Sequence, residues 1–156
     1  MDMSLIWLLV AAFAMLLGLH GGYFGALADA CNTIGKGLGG ASEKTNGFQD
    51  AITPPSSTNA RLINWIATIA LFVMSWFYLG PSGLGAAVIL RVLAAIVVGA
   101  VMKSEPPKKH FCTAIYRSMA NREADFVKSG DQMRADAMGQ LRAKFESSSF
   151  ADQLTS

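Results

Sequence analysis

Charged side chains are nearly missing from the first two thirds of this sequence of 156 residues. Nine of the thirteen lysines and arginines, and seven of the eleven aspartates and glutamates, lie after Met102. Charged residues make up 15% of the chain and hydrophobic residues 52%, and the mean hydropathy is +0.35. A typical soluble domain carries roughly 25% charged residues. The distribution therefore argues against an ordinary soluble domain and indicates a membrane protein.

The sequence also lacks the motifs that usually carry chemistry. It contains no nucleophile elbow, no H-E-x-x-H, no Walker-type loop and no paired carboxylates within its apolar segments. The glycines between Gly35 and Gly40 follow no expected strand, so they do not form a dinucleotide-binding fingerprint. We therefore predict no enzyme activity, no cofactor, no metal ion and no small-molecule substrate.

Cysteine is scarce, and a one-signed basic stripe is missing. Cys31 and Cys112 lie far apart, and neither has a second cysteine or a histidine at ligand spacing. The net charge of +2 comes from lysines and arginines that are mixed with acids, which argues against a nucleic-acid surface. We expect two unpaired cysteines and no nucleic-acid partner.

The first apolar segment covers residues 4–28 and contains no charged residue. Its length meets the requirement of about 20 apolar residues for a transmembrane helix. Ala28-Asp29-Ala30 resembles a signal-peptidase site, but residues 1–4 carry an acid and no lysine or arginine, and the site lies about ten residues beyond the apolar run. We therefore expect the segment to be retained as a first transmembrane helix.

Residues 29–60 are rich in Gly, Ser, Thr, Asn and Pro, which predicts a loop with at most one short helical turn. Residues 61–102 hold two further uncharged runs, Leu62 to Leu79 and Leu84 to Met102, apart from Arg91. The turn sequence Gly80-Pro81-Ser82-Gly83 separates them. The pattern predicts an antiparallel hairpin of a second and a third transmembrane helix.

Lysine and arginine residues flank the open end of this hairpin, while its turn carries no charge. The positive-inside rule then places the open end in the cytoplasm, the amino terminus outside and the carboxy-terminal tail inside, as expected for a bacterial inner-membrane protein. Both cysteines would be cytoplasmic, so no disulfide is expected. Phospholipid headgroups are the expected partners of the flanking residues Arg61, Lys103, Lys108 and Lys109.

The tail, residues 103–156, has the pattern of a cytoplasmic amphipathic helical segment. Apolar residues recur at a spacing of four, so we predict that one face packs on the membrane surface, on another copy of the chain or on a partner protein. The predicted docking residues are Phe111, Ile115, Met119, Met133, Leu141 and Phe145.

Arg91 lies inside the third apolar run, where a charge costs about 2.5 kcal/mol or more. One interpretation is a buried partner: a carboxylate of another subunit, a lipid phosphate or a water-filled pathway. The alternative is that its side chain reaches headgroups at the Gly80 turn. The nearby polar residues Asn64 and Thr68 are expected only to seal the hairpin.

Small residues around His20 predict a surface for close helix packing. Gly18 and Gly22, and likewise Gly21 and Gly25, have the small-xxx-small spacing that lets two helices approach. His20 has no partner at a spacing that favours a metal site or a proton relay, so we expect it at an interface.

The sequence therefore predicts an all-α membrane protein with three transmembrane helices and a cytoplasmic amphipathic helical tail. The functional hypothesis is a small non-catalytic subunit of a larger assembly, either secretion or conjugation machinery or an energy-converting complex. Its partners would be other membrane-protein subunits or copies of itself. Two alternatives remain open: a self-assembling holin-like pore-former, and a pilin-like subunit cleaved after Ala30.

Overall fold

The structure is a computed structural model that describes residues 3–38 and 55–155, and within these residues all regular structure is helical. The prediction of an all-α fold is confirmed for this part of the chain. Its helices are α1 (Met3–Gly37), α2 (Pro55–Met102), α3 (Lys109–Ser129), α4 (Gln132–Glu146) and α5 (Asp152–Thr155).

Helix α2 is interrupted at Gly80, where the backbone has φ 67° and ψ −160°. A side chain would be strained at this positive φ, so glycine is required for the break, and Pro81 follows it. We name residues 55–79 the amino-terminal arm and residues 81–102 the carboxy-terminal arm. Arg91 in one arm donates hydrogen bonds to Thr68 and Asn64 in the other. The chain therefore reverses direction at the turn that the sequence predicts.

The chain divides into two compact units, which are described separately. The first unit contains residues 3–26 and 56–102. The second unit contains residues 27–38, 55 and 103–155 among the residues that the structure describes. Helix α1 thus contributes its first part to one unit and its last part to the other.

In the first unit, α1 packs against both arms of α2. Gly18 lies against Arg91 and Ala94, and Gly22 lies against Ala95 and Val98. The residue numbers of the contacted partners increase from Gly18 to Gly22, so α1 runs parallel to the carboxy-terminal arm. It therefore runs antiparallel to the amino-terminal arm. The shared core is small and apolar; it consists of Val10, Ala14, Leu71, Leu79 and Ala87.

The outward faces of these helices are apolar as well. Leu8 is 67% exposed and Phe77 is 78% exposed. Residues Met3–Gly37 and Thr58–Met102 form helices long and apolar enough to cross a membrane. In the most apolar stretch of 18 residues in each helix, only 17% and 11%, respectively, are buried. A core helix of a soluble protein would be mostly buried, whereas side chains that face lipid remain exposed in the isolated chain.

Helix α1 continues past Ala28 as far as Gly37, so the predicted loop boundary at residue 29 is wrong. Ala30, Cys31 and Ile34 are buried in the second unit, and this burial favours the helix over the loop that the local composition suggests. A Cβ at Gly37 would lie 2.6 Å from Cε2 of Phe150, so this glycine permits close packing. The rest of the predicted loop, residues 39–54, lies outside the described residues.

In the tail, α3 and α4 pack against each other and turn at Gly130. Gly130 adopts the left-handed conformation (φ 78°), and its N–H and that of Asp131 donate to carbonyl groups in the last turn of α3. The carboxylate of Asp131 then accepts a hydrogen bond from the N–H of Arg134 and caps α4. An ion pair of 2.6 Å between Arg142 and Glu123 joins the two helices.

We expect Gly22→Ala to destabilise the first unit, because the new methyl group would lie 2.5 Å from the carbonyl oxygen of Ala95. Overpacking of this kind costs about 1–3 kcal/mol. Gly25→Ala is the matched control, since nothing lies within 4 Å of its Cβ and alanine favours the helix. The free energy of unfolding of the purified variants, followed by tryptophan fluorescence during titration with dodecyl sulfate, provides the measurement. Equal stability of the two variants would contradict the close approach at Gly22.

Candidate functional site

The first unit carries two charged side chains among its described residues, Arg61 and Arg91, and both are positive. Arg61 is exposed near the beginning of α2. Arg91 lies near the middle of the carboxy-terminal arm and is half-buried. A guanidinium keeps its charge in proteins. The surroundings of Arg91 must therefore accommodate a full positive charge among apolar helices.

Neutral polar groups of the amino-terminal arm accept hydrogen bonds from the guanidinium of Arg91. Its Nε donates to Oγ1 of Thr68 at 3.1 Å, and its Nη2 donates to Oδ1 of Asn64 at 3.3 Å. Nδ2 of Asn64 in turn donates to the carbonyl oxygen of Leu17 at 3.1 Å. One hydrogen-bonded chain thus connects α1 with both arms of α2. We call Asn64, Thr68 and Arg91, with the indole of Trp65, the Arg91 cluster.

The ring of Trp65 adds a weaker interaction. The guanidinium carbon of Arg91 lies 6.0 Å from the centre of this ring, at the edge of the range for a cation–π contact. Among the residues that the structure describes, no carboxylate forms an ion pair with Arg91. Within the described part of the chain, the positive charge is therefore solvated by dipoles and by an aromatic ring and is not neutralised by an acid.

The side chain of Arg91 extends away from the Gly80 turn. Nε lies at Thr68, and Nη2, farther out along the side chain, lies at Asn64, one helical turn farther from Gly80. This geometry does not fit the alternative in which Arg91 reaches headgroups at the turn. The guanidinium instead points toward the end of the unit that carries Arg61.

The two glycine pairs of α1 have different surroundings. Gly18 and Gly22 contact the carboxy-terminal arm closely, so this pair packs within the chain. Gly21 is open except for Nη2 of Arg91, which would lie 3.9 Å from a Cβ at this position. Gly25 has nothing within 4 Å of such a Cβ. A strip without side chains therefore begins at the guanidinium and continues along α1.

His20 is exposed, and its ring lies 6.1 Å from the ring of Phe24. Within residues 3–38 and 55–155, no group of three or more His, Cys, Asp or Glu side chains is arranged to hold a metal ion. A separate apolar groove of about 570 Å³ lies between α1 and the amino-terminal arm, with Leu9, Phe13 and Met74 in its lining.

The predicted headgroup anchors have different environments. Arg61 and Lys109 are exposed. Lys103 is largely exposed and forms an ion pair of 3.4 Å with Asp29 in the second unit. Lys108 is half-buried at the start of α3, where its carbonyl group accepts hydrogen bonds from the first turn of that helix.

Most of the predicted docking residues of the tail are inside the second unit. Phe111, Ile115, Met119 and Phe145 are at most 1% exposed and form its core. Leu141 is half-buried, and Met133 is 82% exposed. Helix α4 buries Ala135 and Met138 instead, because the face toward α3 does not follow a strict spacing of four. The stripe therefore packs largely on its own chain.

Both cysteines are buried in the second unit, and neither forms a disulfide. Burial raises the pKa of the Cys112 thiol, and its Sγ lies 3.4 Å from the carbonyl oxygen of Pro107. The pKa of His110 is lowered by burial and by the nearby charge of Lys108. Ala30, at the predicted cleavage site, is 5% exposed and lies inside the continuous helix α1.

Sequence reasoning found Arg91 but missed the role of Asn64 and Thr68. The available signal was the register of the hairpin. Arg91 lies eleven positions after Gly80, and Thr68 lies twelve positions before it, so the two sides of the turn bring them to the same level. A polar pair one helical turn apart at that level indicates a partner for the charge.

Comparison with known proteins gives no match: no family model, no curated protein and no solved structure corresponds to the chain. Its function is therefore inferred from the residues and contacts described above.

A double-mutant cycle tests the link between Asn64 and Arg91. We expect Asn64→Leu and Arg91→Leu to be coupled by about 0.5–2 kcal/mol in the free energy of unfolding, the range of hydrogen bonds between membrane helices. Ser75→Ala is the matched control, because the hydroxyl of Ser75 donates to the carbonyl of Leu71 in its own helix. Its coupling to Arg91→Leu is expected to be near zero. Additive effects of Asn64→Leu and Arg91→Leu would contradict the cluster.

Proposed function

We propose that the chain is a small, non-catalytic integral membrane subunit that acts by packing against other subunits of a larger membrane assembly. The observation that carries this proposal is the apolar outer surface of α1 and α2. These faces, with the apolar groove between α1 and the amino-terminal arm, pack on nothing within the first unit. Lipid tails or neighbouring transmembrane helices are the surroundings that such faces require.

The proposal includes three crossings, and the helix lengths support it. Residues 61–80 extend over about 30 Å at 1.5 Å per residue, which equals the thickness of the hydrocarbon core. The carboxy-terminal arm returns over the same distance, and the first part of α1 lies beside both. The positive residues Arg61 and Lys103 mark the cytoplasmic end, and the uncharged Gly80 turn lies outside.

The interaction surfaces support a role as a subunit. Among the described residues, Gly25 has nothing within 4 Å of a Cβ at its position, and Gly21 has only Nη2 of Arg91, so the two glycines leave a strip for close approach. Arg91 keeps a charge that no described carboxylate neutralises. In the tail, Met133 is an exposed apolar residue that is available to a cytoplasmic partner. We propose a bacterial inner-membrane assembly as the setting, either secretion or conjugation machinery or an energy-converting complex.

The proposed topology predicts which introduced thiols are accessible from outside the cell. Ser82→Cys in the exposed turn should react with a membrane-impermeant maleimide on intact cells. Met133→Cys in α4 should react only after the membrane is permeabilised. The parent chain is the control, since Cys31 and Cys112 are buried. Labelling of Met133→Cys but not of Ser82→Cys on intact cells would show the opposite orientation.

Purification tests the role as a subunit. A carboxy-terminally tagged chain, extracted in dodecyl maltoside, is expected to retain other integral membrane proteins in a fixed ratio, measured by native mass spectrometry. An unrelated tagged membrane protein of similar size controls for carry-over. A homo-oligomer alone would favour the pore-forming or pilin-like alternatives, and the intact mass separates them because cleavage after Ala30 removes the first segment. A stable lone monomer would contradict the proposal.

A further inference from the structure

The guanidinium of Arg91 lies close to one end of the first unit. Asn64, which accepts from its Nη2, is three positions from Arg61, or about 5 Å along the helix. The indole of Trp65 beside it is 63% exposed, and tryptophan side chains are typical of the level where membrane helices meet headgroups. The outer end of the guanidinium therefore lies about one helical turn inside the boundary of the hydrocarbon, on the side of Arg61.

The hydrogen-bonding capacity of this guanidinium is only partly used. An arginine side chain has five N–H donors. Two hydrogen bonds, from Nε and from Nη2, are made to described residues. The remaining donors, including both on Nη1, require an acceptor, because an unsatisfied polar group in an apolar environment is costly.

The strip formed by Gly21 and Gly25 gives access to those donors. A Cβ at Gly21 would lie 3.9 Å from Nη2, so the absence of a side chain there leaves space beside the guanidinium. Since α1 runs antiparallel to the amino-terminal arm, Gly25 follows Gly21 toward the Arg61 end. An acceptor at the headgroup level can therefore reach the guanidinium along this strip.

The charges of the unit favour a phosphate as the acceptor. Residues 3–26 and 56–102 contain no Asp or Glu, so a second copy packed at the same level in the membrane offers no carboxylate. Arg61 and Arg91 make this end of the unit positive, and the planar fork of a guanidinium matches two oxygens of a phosphate. Phospholipid phosphates are present at this level of every bilayer.

From these observations we propose that the Arg91 cluster is a binding site for the phosphate of an anionic phospholipid. Asn64 and Thr68 hold the guanidinium in place, and Gly21 leaves room for the headgroup. This inference rests on the proposed membrane topology for the depth of the site, but it does not depend on which assembly the chain joins.

Quenching of Trp65 fluorescence tests the site. In a Trp7→Phe/Trp76→Phe background, the full chain in detergent is titrated with phosphatidylglycerol that carries brominated chains. We expect saturable quenching at low lipid fractions. Arg91→Gln should weaken the apparent affinity by about tenfold or more, as expected for the loss of charge-assisted hydrogen bonds. Gly21→Leu should also weaken it, because the larger side chain fills the space beside Nη2.

Arg61→Gln is the matched comparison, since it removes the same charge near the same boundary but outside the cluster. Because Arg61 contributes to the positive end of the unit, we expect this variant to lose some affinity, but less than Arg91→Gln loses. A loss of affinity equal to that of Arg91→Gln would show general attraction to a positive surface and would overturn the proposal. Unchanged quenching in Arg91→Gln would do so as well. The circular dichroism of each variant, compared with the parent, establishes that a loss of binding is not a loss of folding.

Native mass spectrometry of the assembly separates the two proposals. If Arg91→Gln loses a protein partner but keeps its bound lipid, the acceptor is a carboxylate of that partner, and the lipid site is wrong while the subunit role stands. If Arg91→Gln loses phosphatidylglycerol and retains the same partners, the lipid site is supported. Membrane extraction by alkali, which leaves integral proteins behind, tests the membrane location separately from both.

Discussion

The cost of placing one guanidinium among apolar helices organises the first unit. Arg91 cannot lose its charge, so polar groups must be brought to it. Asn64 and Thr68 supply acceptors from the amino-terminal arm, and Asn64 uses its amide nitrogen to bind the carbonyl of Leu17. Satisfying one charge thus determines the register of three helical segments, which apolar contacts alone would leave free to slide.

Close packing of glycine makes that register possible. Gly18 lies against the carbonyl of Arg91 itself, so α1 approaches the carboxy-terminal arm at the same level where the side chain of Arg91 leaves it. A side chain at Gly18 would separate the helices and move Leu17 away from Asn64. The close packing at Gly18 and Gly22 therefore permits the short distances that the hydrogen bonds of the Arg91 cluster require.

The sequence predicted the elements of the first unit well and the contacts between residues poorly. Apolar runs and the Gly80-Pro81 turn are local signals, and both appear in the structure. The end of α1 at Gly37 could not be predicted locally, because Gly35 and Gly37 are typical of loops, and only the tertiary structure places the ring of Phe150 against Gly37. The prediction of the apolar face of the tail was incomplete for a similar reason. A spacing of four indicates an apolar face, but the packing of α4 against α3 determines that Met138 is buried and Met133 is exposed.

The direction of the Arg91 side chain also indicates which end of the hairpin is polar. Helical side chains normally lean toward the amino terminus of their helix, which for Arg91 is the Gly80 turn. Its guanidinium instead reaches Asn64, in the opposite direction, where it finds a hydrogen-bond acceptor. The open end of the hairpin is thus the polar end by two criteria. In the proposed topology this polar end faces the cytoplasmic leaflet, whose anionic lipids attract positive residues.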